Sequence, residues 1–277
     1  MLKHEDIRIR DPFVLVDFEN KIYYVYGTTE LQDGLRAGNK FSVYLTRDLE
    51  NFDGPYTVFD GAECGFWADK DYWAAEVFKY KGKYYLLGSF KSDSKRRATQ
   101  ILVSDSPMGK FKPISESPQT PWEWECLDGT LYIEDDVPYL VFCHEWKQCV
   151  VGEICAVKLT EDLRAPAEEP FLLFKASDNK DVTLTSKGGM VTDGPFLFKE
   201  NGRIKLIWSS ISNGRYVVLE ATSDSIKGVW THYSSRFGFD GGHAMVFTDF
   251  DGKKYFSLHA PNVIPNERIT IVPYEET

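Results

Sequence analysis

The stretch RIRDPFVLVDFENKIYYVYGTT, residues 8–29, contains the pattern from which the architecture of the chain is predicted. It begins with polar residues, continues as an apolar strand from Phe13, breaks at residues 19–21 and resumes as an aromatic and β-branched strand. This pattern predicts a β-hairpin, because the turn residues supply the backbone angles of a tight connection. Asp11 stands at the mouth of the first strand, and Pro12 is expected to hold it in an extended conformation.

The same order of features returns four more times along the chain. Each segment has a polar residue, a short apolar strand, a turn rich in Asn, Asp, Gly or Lys, and a second strand. The later segments are AAEVFKYKGKYYLLGSF (74–90), LDGTLYIEDDVPYLVFCHE (127–145), TDGPFLFKENGRIKLIWSS (192–210) and GGHAMVFTDFDGKKYFSLHA (241–260). Their polar anchors, including the first, are Asp11, Glu76, Asp128, Asp193 and His243, at spacings of 65, 52, 65 and 50 residues. Five such units fill the 277 residues, as an internal repeat should.

Additional strand-like pieces between these hairpins bring each unit to four strands. Examples are FSVYLTRDL, TQILVSDS, EICAVKLTEDL and YVVLEATSDS, and helical periodicity is weak throughout. Tight turns are predicted at Glu19-Asn20, Lys81-Gly82, Glu134-Asp135, Asn201-Gly202 and Asp251-Gly252. The sequence therefore predicts an all-β protein, a five-bladed β-propeller whose four-stranded antiparallel blades surround a central funnel, with residues 1–277 as one domain.

Charge and hydropathy narrow the range of partners. The formal net charge is −10, and lysine and arginine are scattered without a basic stripe, which disfavours binding to nucleic acid or to anionic membranes. The N-terminal stretch MLKHEDIRIRDPF has no apolar segment of signal-peptide length, and no apolar run approaches the length of a membrane span. A cytoplasmic location is the resulting expectation, and the sequence does not indicate an oligomeric state.

The five cysteines predict free thiols. Their number is odd, and no C-x-x-C pair occurs among Cys64, Cys126, Cys143, Cys149 and Cys155, which argues against both a disulfide framework and a thiolate zinc site. We expect most of them to be buried.

The polar anchors are expected to converge. The first strands of a propeller lie nearest the axis, so a polar residue at the same place in each repeat faces one end of a common funnel. Strand-entry or turn roles are the alternative for any single anchor, but four grouped carboxylates repel one another and reduce stability unless function needs them. Such a group suits either hard-metal coordination or acid–base cleavage of a glycosidic bond. No D-x-D-x-D-G loop or H-E-x-x-H motif is present, so catalysis is favoured.

Five motifs of the sequence resemble those of a known family. RDPF (10–13), YWAAEVFKYKGKYYL (72–86), LDGTLYI (127–133), TDGPF (192–196) and GGHAMVFTDFDGKKYFSLHAPN (241–262) are similar to the five blade motifs of glycoside hydrolase family 43. The resemblance implies an inverting enzyme that acts on arabinose- or xylose-containing glycans. It implies Asp11 as general base, Asp193 as general acid, and Asp128 as the residue that orients the acid and raises its pKa.

These roles are also physically reasonable. A general acid must hold its proton near neutral pH, and a nearby carboxylate raises its pKa by like-charge repulsion. The base must stay ionised, which the neighbouring Arg10 favours. The chain departs from the family at Asp193, where glutamate is usual, and at Ala75, where proline is more frequent. Because aspartate is one methylene shorter, Glu76 is the alternative proton donor, although we expect it to bind a sugar hydroxyl.

Further residues are candidates for binding the substrate. Phe13, Trp73 and the Trp122–Trp124 stretch are expected to offer rings to sugar faces, with ordinary core packing as the alternative. By resemblance, His243 faces the axis beside the site, where a bound water or a structural cation such as calcium is expected, and a core histidine is the alternative. The run KSDSKRR (91–97) predicts a solvated loop that borders the cleft. No organic cofactor is implied.

Three functions follow, in order of preference. The first is an inverting glycosidase of α-L-arabinofuranosyl linkages in oligosaccharides, with β-xylosidase or galactosidase activity of the same fold left open. The second is a sugar-binding propeller without turnover, motivated by the aspartate at the acid position. The third is a protein-interaction propeller, which would leave the acidic anchors unexplained.

Overall fold

Apart from one short pair of strands, the described strands form five antiparallel sheets that follow one another along the chain. The computed structural model describes residues 1–29, 31–32 and 36–275, and residues 30, 33–35, 276 and 277 of the predicted domain lie outside the described residues. The strands are β1 (Leu2–Lys3), β2 (Arg10–Asp17), β3 (Ile22–Thr28), β4 (Leu31–Gln32), β5 (Arg36–Ala37), β6 (Lys40–Thr46), β7 (Asn51–Asp60), β8 (Lys70–Tyr80), β9 (Lys83–Lys91), β10 (Ala98–Ser104), β11 (Lys112–Pro113), β12 (Cys126–Glu134), β13 (Val137–His144), β14 (Glu153–Lys158), β15 (Phe171–Lys175), β16 (Asp193–Glu200), β17 (Arg203–Ser212), β18 (Arg215–Ser223), β19 (Thr231–Tyr233), β20 (Gly242–Thr248), β21 (Lys254–Ala260) and β22 (Arg268–Pro273).

These sheets are the blades of a propeller. In the order of pairing, the blades are β2-β3-β6-β7, β8 to β11, β12 to β15, β16 to β19, and β20 to β22, while β1 extends the outer edge of the first blade and β4 pairs with β5 separately. The innermost strands β2, β8, β12, β16 and β20 each contact the innermost strands of both neighbouring blades. The ring is therefore closed, and the predicted five-bladed β-propeller is confirmed.

The two ends of the chain meet in the fifth blade. This blade contains three strands from the C-terminal part of the chain, and Arg8 forms an antiparallel bridge with Arg268 of β22. The amide of Ile9 also donates a hydrogen bond to the carbonyl of Glu267 at 3.4 Å. The segment before β2 thus completes the outer edge of the fifth blade and joins it to the first.

Helices contribute little to the fold. The α-helical segments are α1 (Gly61–Cys64) and α2 (Trp146–Cys149), and short 3-10 turns occupy His4–Asp6 and Ala176–Asp178. Within the described ranges, no helix is long and apolar enough to cross a membrane.

The predicted hairpin turns explain why the first two strands of each blade pair. The residue pairs Lys81-Gly82 and Asn201-Gly202 both have positive φ, at 46° and 81° and at 51° and 80°, which is the geometry of the two-residue turns that match strand twist. In the third blade the turn residues are Asp135 and Asp136, one position later than predicted. Asn, Asp and Gly tolerate these angles better than other residues do.

The cysteines are free thiols, as predicted. Cys126, Cys143 and Cys155 are buried, Cys149 is half-buried and Cys64 is exposed. The buried thiols act as small apolar residues in the core.

Candidate active site

Each innermost strand has an irregularity in its pairing near its start, and we call the two residues at that irregularity a step. A register shift follows the first residue of each step, as expected of β-bulges, which re-aim side chains. The five steps are Arg10-Asp11, Trp73-Ala74, Leu127-Asp128, Asp193-Gly194 and Gly242-His243. Their first residues pair with Thr28, Ser89, Cys143, Ser209 and His259 of the second strands, respectively.

The second residue of every step has a left-handed backbone. The φ angles are 57° at Asp11, 50° at Ala74, 55° at Asp128, 50° at Gly194 and 53° at His243. The prediction that Pro12 holds Asp11 extended is therefore wrong. A non-glycine residue in this region costs roughly 1–2 kcal/mol, and such strain is common at functional sites.

This alignment corrects the assumption that the five anchors are equivalent. Asp11, Asp128 and His243 share the second position of a step, whereas Asp193 takes the first and Glu76 lies two residues beyond Ala74. In the fourth blade the second position requires glycine, because a Cβ on Gly194 would lie 2.6 Å from Cγ of His243. The carboxyl group of that blade is therefore carried by the preceding residue.

The steps surround a cavity of about 640 Å³. Five of the predicted residues line it, namely Asp11, Trp73, Asp128, Asp193 and His243. It is also lined by residues to which the sequence analysis gave no substrate contact, including Arg10, Glu145, Trp146, Tyr216 and Asn262. Carboxylates from the first, third and fourth blades thus meet in one pocket.

Phe13 and Glu76 lie elsewhere, and both predictions need correction. The Phe13 ring is 5% exposed and packs with centroid distances of 5.0 Å to Phe78 and 6.2 Å to Phe196, so it belongs to the core. Glu76 is buried, and neither residue is among those that line the cavity. Burial, and secondarily Asp128, raises the pKa of Glu76 well above its usual value. Glu76 is therefore an interior acid and not one of the cavity-lining groups that a sugar hydroxyl or a leaving group would contact.

Asp11 is held in its ionised form. Burial by itself raises the pKa of this carboxyl, but the His243 imidazole and the Arg10 guanidinium lower it to about 2. Nδ1 of His243 lies 3.2 Å from Oδ1 of Asp11, and Nε of Arg10 lies 3.6 Å from the same oxygen. The hydroxyl of Thr28 donates a hydrogen bond to Oδ2 at 2.8 Å. Asp11 is thus a carboxylate near neutral pH.

Asp128 has the opposite tendency. Burial, and then the negative charge of Asp11, raises its pKa to about 7. Its Oδ2 accepts a hydrogen bond from the amide of Gly194 at 3.1 Å and lies 3.7 Å from Nδ1 of His243. Asp128, in the third blade, therefore contacts both the residue that follows Asp193 in the fourth blade and His243 in the fifth.

Asp193 keeps its proton near neutral pH. Burial, and then the charge of Asp128, raises its pKa to about 7. The hydroxyl of Tyr216 donates a hydrogen bond to Oδ2 of Asp193 at 3.2 Å. Burial, and then Asp193, raises the pKa of Tyr216 well above its usual value, so the phenol stays protonated and remains a donor. One cavity therefore holds an ionised carboxylate and a protonated carboxyl group, as acid–base cleavage requires.

Comparison with known proteins decides the family. The sequence model described as "Glycosyl hydrolases family 43" matches residues 6–273. The chain belongs to glycosyl hydrolase family 43. Among solved structures, it is similar to an endo-arabinase from Bacteroides thetaiotaomicron, with 38% identity, a TM-score of 0.92, and coverage of 100% of this chain and 98% of that one.

Two further relatives have different names. An endo-1,4-β-xylanase from the same organism is 26% identical with a TM-score of 0.81, over 99% of this chain and 93% of that chain. A curated protein of Bacteroides ovatus named xylosidase/arabinosidase is 23% identical over 291 residues, 93% of this chain and 86% of the relative. This family 43 chain is a glycoside hydrolase, as the sequence predicted.

Tyr216 gives the site of this family 43 protein a testable feature. When Asp193 releases its proton, the phenol hydrogen bond becomes charge-assisted and strengthens. We expect Tyr216→Phe to lower kcat about tenfold with little change in KM, since a hydrogen bond to a charged group contributes roughly 1.5–3 kcal/mol. Steady-state kinetics on an oligosaccharide substrate measures this, with Tyr233→Phe as the control because that ring is 44% exposed. An unchanged kcat in Tyr216→Phe would show that the hydrogen bond is not used.

The raised pKa of Asp193 also predicts a pH-dependent stability. Its pKa is about 3.9 in an unfolded chain and about 7 in the fold, so the native state binds more protons between these values and stability falls as pH rises through them. We expect Asp193→Asn to increase the free energy of unfolding by roughly 1–3 kcal/mol at pH 8 and to change it little at pH 4. Denaturant unfolding at both pH values tests the difference, and an equal effect at both would contradict it.

Trp73 forms a wall of the cavity, and a buried arginine supports it. The guanidinium carbon of Arg97 lies 3.8 Å from the centroid of the Trp73 ring. Nη1 of Arg97 donates to Glu145 and Nη2 donates to Asp71, both at 2.9 Å. Arg97 is 3% exposed, so the predicted solvated loop at residues 91–97 is wrong at this position. One face of Trp73 is thus fixed by a cation.

The other tryptophans are distributed differently from the prediction. Trp122 packs edge-on against Trp67 at 4.9 Å, Trp124 stacks on His144 at 4.4 Å, and neither is among the described residues that line the cavity. Trp146 does line it, and Gly189 permits its position because a Cβ there would lie 2.1 Å from the indole ring.

The expected cation near the axis is not matched by a set of side-chain ligands. Within the described part of the chain, the one group with suitable spacing is His144, Cys149 and Glu153, which is separate from His243. Nδ1 of His144 is already bonded to Glu153 at 3.0 Å and the Cys149 thiol to backbone carbonyls, so we assign no metal to that group. Calcium near His243 stays a prediction.

Proposed function

We propose that this protein hydrolyses α-L-arabinofuranosyl linkages with inversion, with Asp11 as general base and Asp193 as general acid. The observation that carries the proposal is the unequal proton affinity of two carboxyl groups in one cavity, with pKa values of about 2 for Asp11 and about 7 for Asp193. Asp128 supplies the charge that, after burial, raises the pKa of Asp193.

The proposed reaction is a single displacement. Asp11 accepts a proton from a water molecule while the water oxygen attacks the anomeric carbon. The bond from that carbon to the glycosidic oxygen breaks on the opposite face, and Asp193 gives its proton to the departing oxygen. The new sugar has the inverted configuration, and exchange with solvent returns the proton from Asp11 to the Asp193 side. No step requires an organic cofactor.

The preference for arabinose rests on similarity. The 38% identity to a protein named endo-arabinase extends over the whole chain. Action on β-xylosyl linkages is the second candidate, supported by the 26% identity to a protein named endo-1,4-β-xylanase and by the relative named xylosidase/arabinosidase. A sugar-binding propeller without turnover is the third.

Paired substrates separate these candidates. The purified protein is assayed on an aryl α-L-arabinofuranoside, an aryl β-D-xyloside, and linear arabino- and xylo-oligosaccharides. The proposal expects the highest kcat/KM on the arabinose series. Asp11→Asn is the low-activity control for all substrates, and Asp193→Asn is the low-activity control for the oligosaccharides. A preference for xylose would select the second candidate. Binding of arabino-oligosaccharides by calorimetry without any product would select the third.

The proposed roles also predict how kcat/KM depends on pH. Because the reaction needs Asp193 protonated, kcat/KM should fall tenfold per unit above a basic limb near pH 7. Because Asp11 has a pKa of about 2, no acidic limb should appear between pH 4 and 6. A fall in activity below pH 6 without unfolding, if it persists in Asp128→Asn, would contradict the assignment of Asp11 as base.

A further inference from the structure

Adjacent blades are linked by one repeated hydrogen bond. The backbone amide of the left-handed residue in each step donates to a side chain or carboxylate from the preceding blade. Ala74 donates to Oγ1 of Thr28 at 2.9 Å, Asp128 to Oγ of Ser89 at 2.8 Å, and His243 to Oγ of Ser209 at 2.7 Å. Asp11 donates to Nδ1 of His259 at 3.2 Å, which closes the ring. Each of these four acceptors lies on the second strand of its blade and pairs there with the first residue of that blade's own step.

The junction of the third and fourth blades departs from this pattern. The corresponding residue of the third blade is Cys143, which pairs with Leu127. A thiol is a weak acceptor, and the amide of Gly194 donates instead to Oδ2 of Asp128 at 3.1 Å. Cys143 is fully buried, and burial, followed by the charges of Asp128 and Asp193, raises its pKa well above the usual value. It is therefore a neutral thiol close to both carboxyl groups.

The first blade shows what a hydroxyl does at this position. Thr28 accepts the amide of Ala74 and donates its own hydrogen to Oδ2 of Asp11 at 2.8 Å. The hydroxyl thus stands between the carboxylate and the next blade. In the third blade the corresponding residue is the thiol Cys143, and the Asp128 carboxylate itself accepts the hydrogen bond from Gly194, the residue next to Asp193.

We propose that Cys143 is a positioning residue: because it leaves the amide of Gly194 without a hydroxyl acceptor, it makes the Asp128 carboxylate bridge to the fourth blade beside Asp193. The hydroxyl of a serine at position 143 would accept the hydrogen bond from the Gly194 amide, as the Thr28 hydroxyl accepts that of Ala74. The Asp128 carboxylate would then no longer bind the fourth blade. An alanine would not have this effect, because it offers no acceptor. This inference deepens the proposed function and its kinetic part rests on it.

The groups that interact electrostatically with the carboxyl groups of Asp128 and Asp193 come from several blades. Those that act on Asp128 or Asp193 are Arg10, Asp11, Glu76, Arg97, Cys143, Glu145, Tyr216 and His243. Neither variant of Cys143 removes any other member of this set, so a difference between them reports on the hydrogen bond.

The direct test does not depend on activity. Protein labelled with [15N]glycine contains 21 labelled amides. The Gly194 signal is identified as the one whose titration is reduced both in Asp128→Asn and in Asp193→Asn, because this amide is bonded to Asp128 and follows Asp193 in the chain. We expect the Gly194 amide to shift downfield as pH rises through 7 in the wild type and in Cys143→Ala. In Cys143→Ser the amplitude should fall by about half or more, since the partner no longer ionises. Cys155→Ser, which buries a hydroxyl elsewhere in the third blade, should keep the full titration.

The kinetic test follows the same variants. If the Asp128 carboxylate lies farther from Asp193, it raises the pKa of Asp193 less. The basic limb of kcat/KM should therefore move to lower pH by roughly half a unit to one unit in Cys143→Ser. In Cys143→Ala the limb should stay in place. An unchanged Gly194 titration in Cys143→Ser, or equal limb shifts in the two Cys143 variants, would overturn the inference. If the wild type cleaves no pentoside while the titration behaves as expected, the proposed function fails and the hydrogen-bond assignment stands.

Discussion

The Asp193→Asn variant is expected to lose about 10³-fold in kcat on arabino-oligosaccharides and about tenfold or less on an aryl arabinofuranoside with a good leaving group. A sugar alcohol leaves poorly unless its oxygen is protonated, whereas an activated phenol leaves as the anion. The amide keeps the shape of the side chain but has no acidic proton at this position. The difference between the two substrates therefore isolates proton donation from damage to the fold.

Glu76→Gln is the matched control for that result. By sequence, Glu76 is the alternative proton donor, but it lies in the interior and is not among the residues that line the cavity. Its kcat should fall by a similar factor, if at all, on both substrates. A large and selective loss on oligosaccharides in Glu76→Gln, with none in Asp193→Asn, would move the donor to the second blade.

The Asp11→Asn variant is expected to lose about 10³–10⁴-fold in kcat on both substrates. Activation of water is needed whatever the leaving group, so the aryl substrate should not rescue this variant. Azide needs no deprotonation to attack, so it should restore turnover of the aryl substrate in Asp11→Ala, which also leaves space beside the anomeric carbon. Rescue of Asp11→Asn by a better leaving group alone would show that Asp11 is not the base.

The fivefold repeat of the hairpin made the architecture predictable from the sequence. Each hairpin is a local unit with its own turn residues, such as Asn201-Gly202, and five similar units leave few arrangements other than a closed ring. The fifth blade illustrates the limit, because its outer edge is completed by the bridge between Arg8 and Arg268, residues at opposite ends of the chain.

The site was predictable to the level of the blade but not of the residue. Asp11, Asp128 and Asp193 do line one cavity, yet a bulge at each strand start shifts which residue faces it, and a bulge leaves no clear mark in hydropathy. Aligning the steps RD, WA, LD, DG and GH would have shown that Asp193 is offset by one residue and that Glu76 lies beyond its step.

Side chains that act over long range were the least predictable. Tyr216 reaches Asp193 from the third strand of the same blade. Arg97 looked solvent-exposed within a run of charges, but its contacts with Asp71, Glu145 and the Trp73 ring bury it. Both sets of contacts depend on how separate strands pack, which no local pattern encodes.

The anomeric configuration of the first product tests the central assignment most directly. Proton NMR spectra are recorded during the first minutes of hydrolysis of an α-L-arabinofuranoside, before mutarotation mixes the anomers. A base that activates water opposite an acid gives β-L-arabinose first. Initial release of α-L-arabinose would mean that a carboxylate attacks the sugar directly, and it would contradict the roles of Asp11 as general base and Asp193 as general acid.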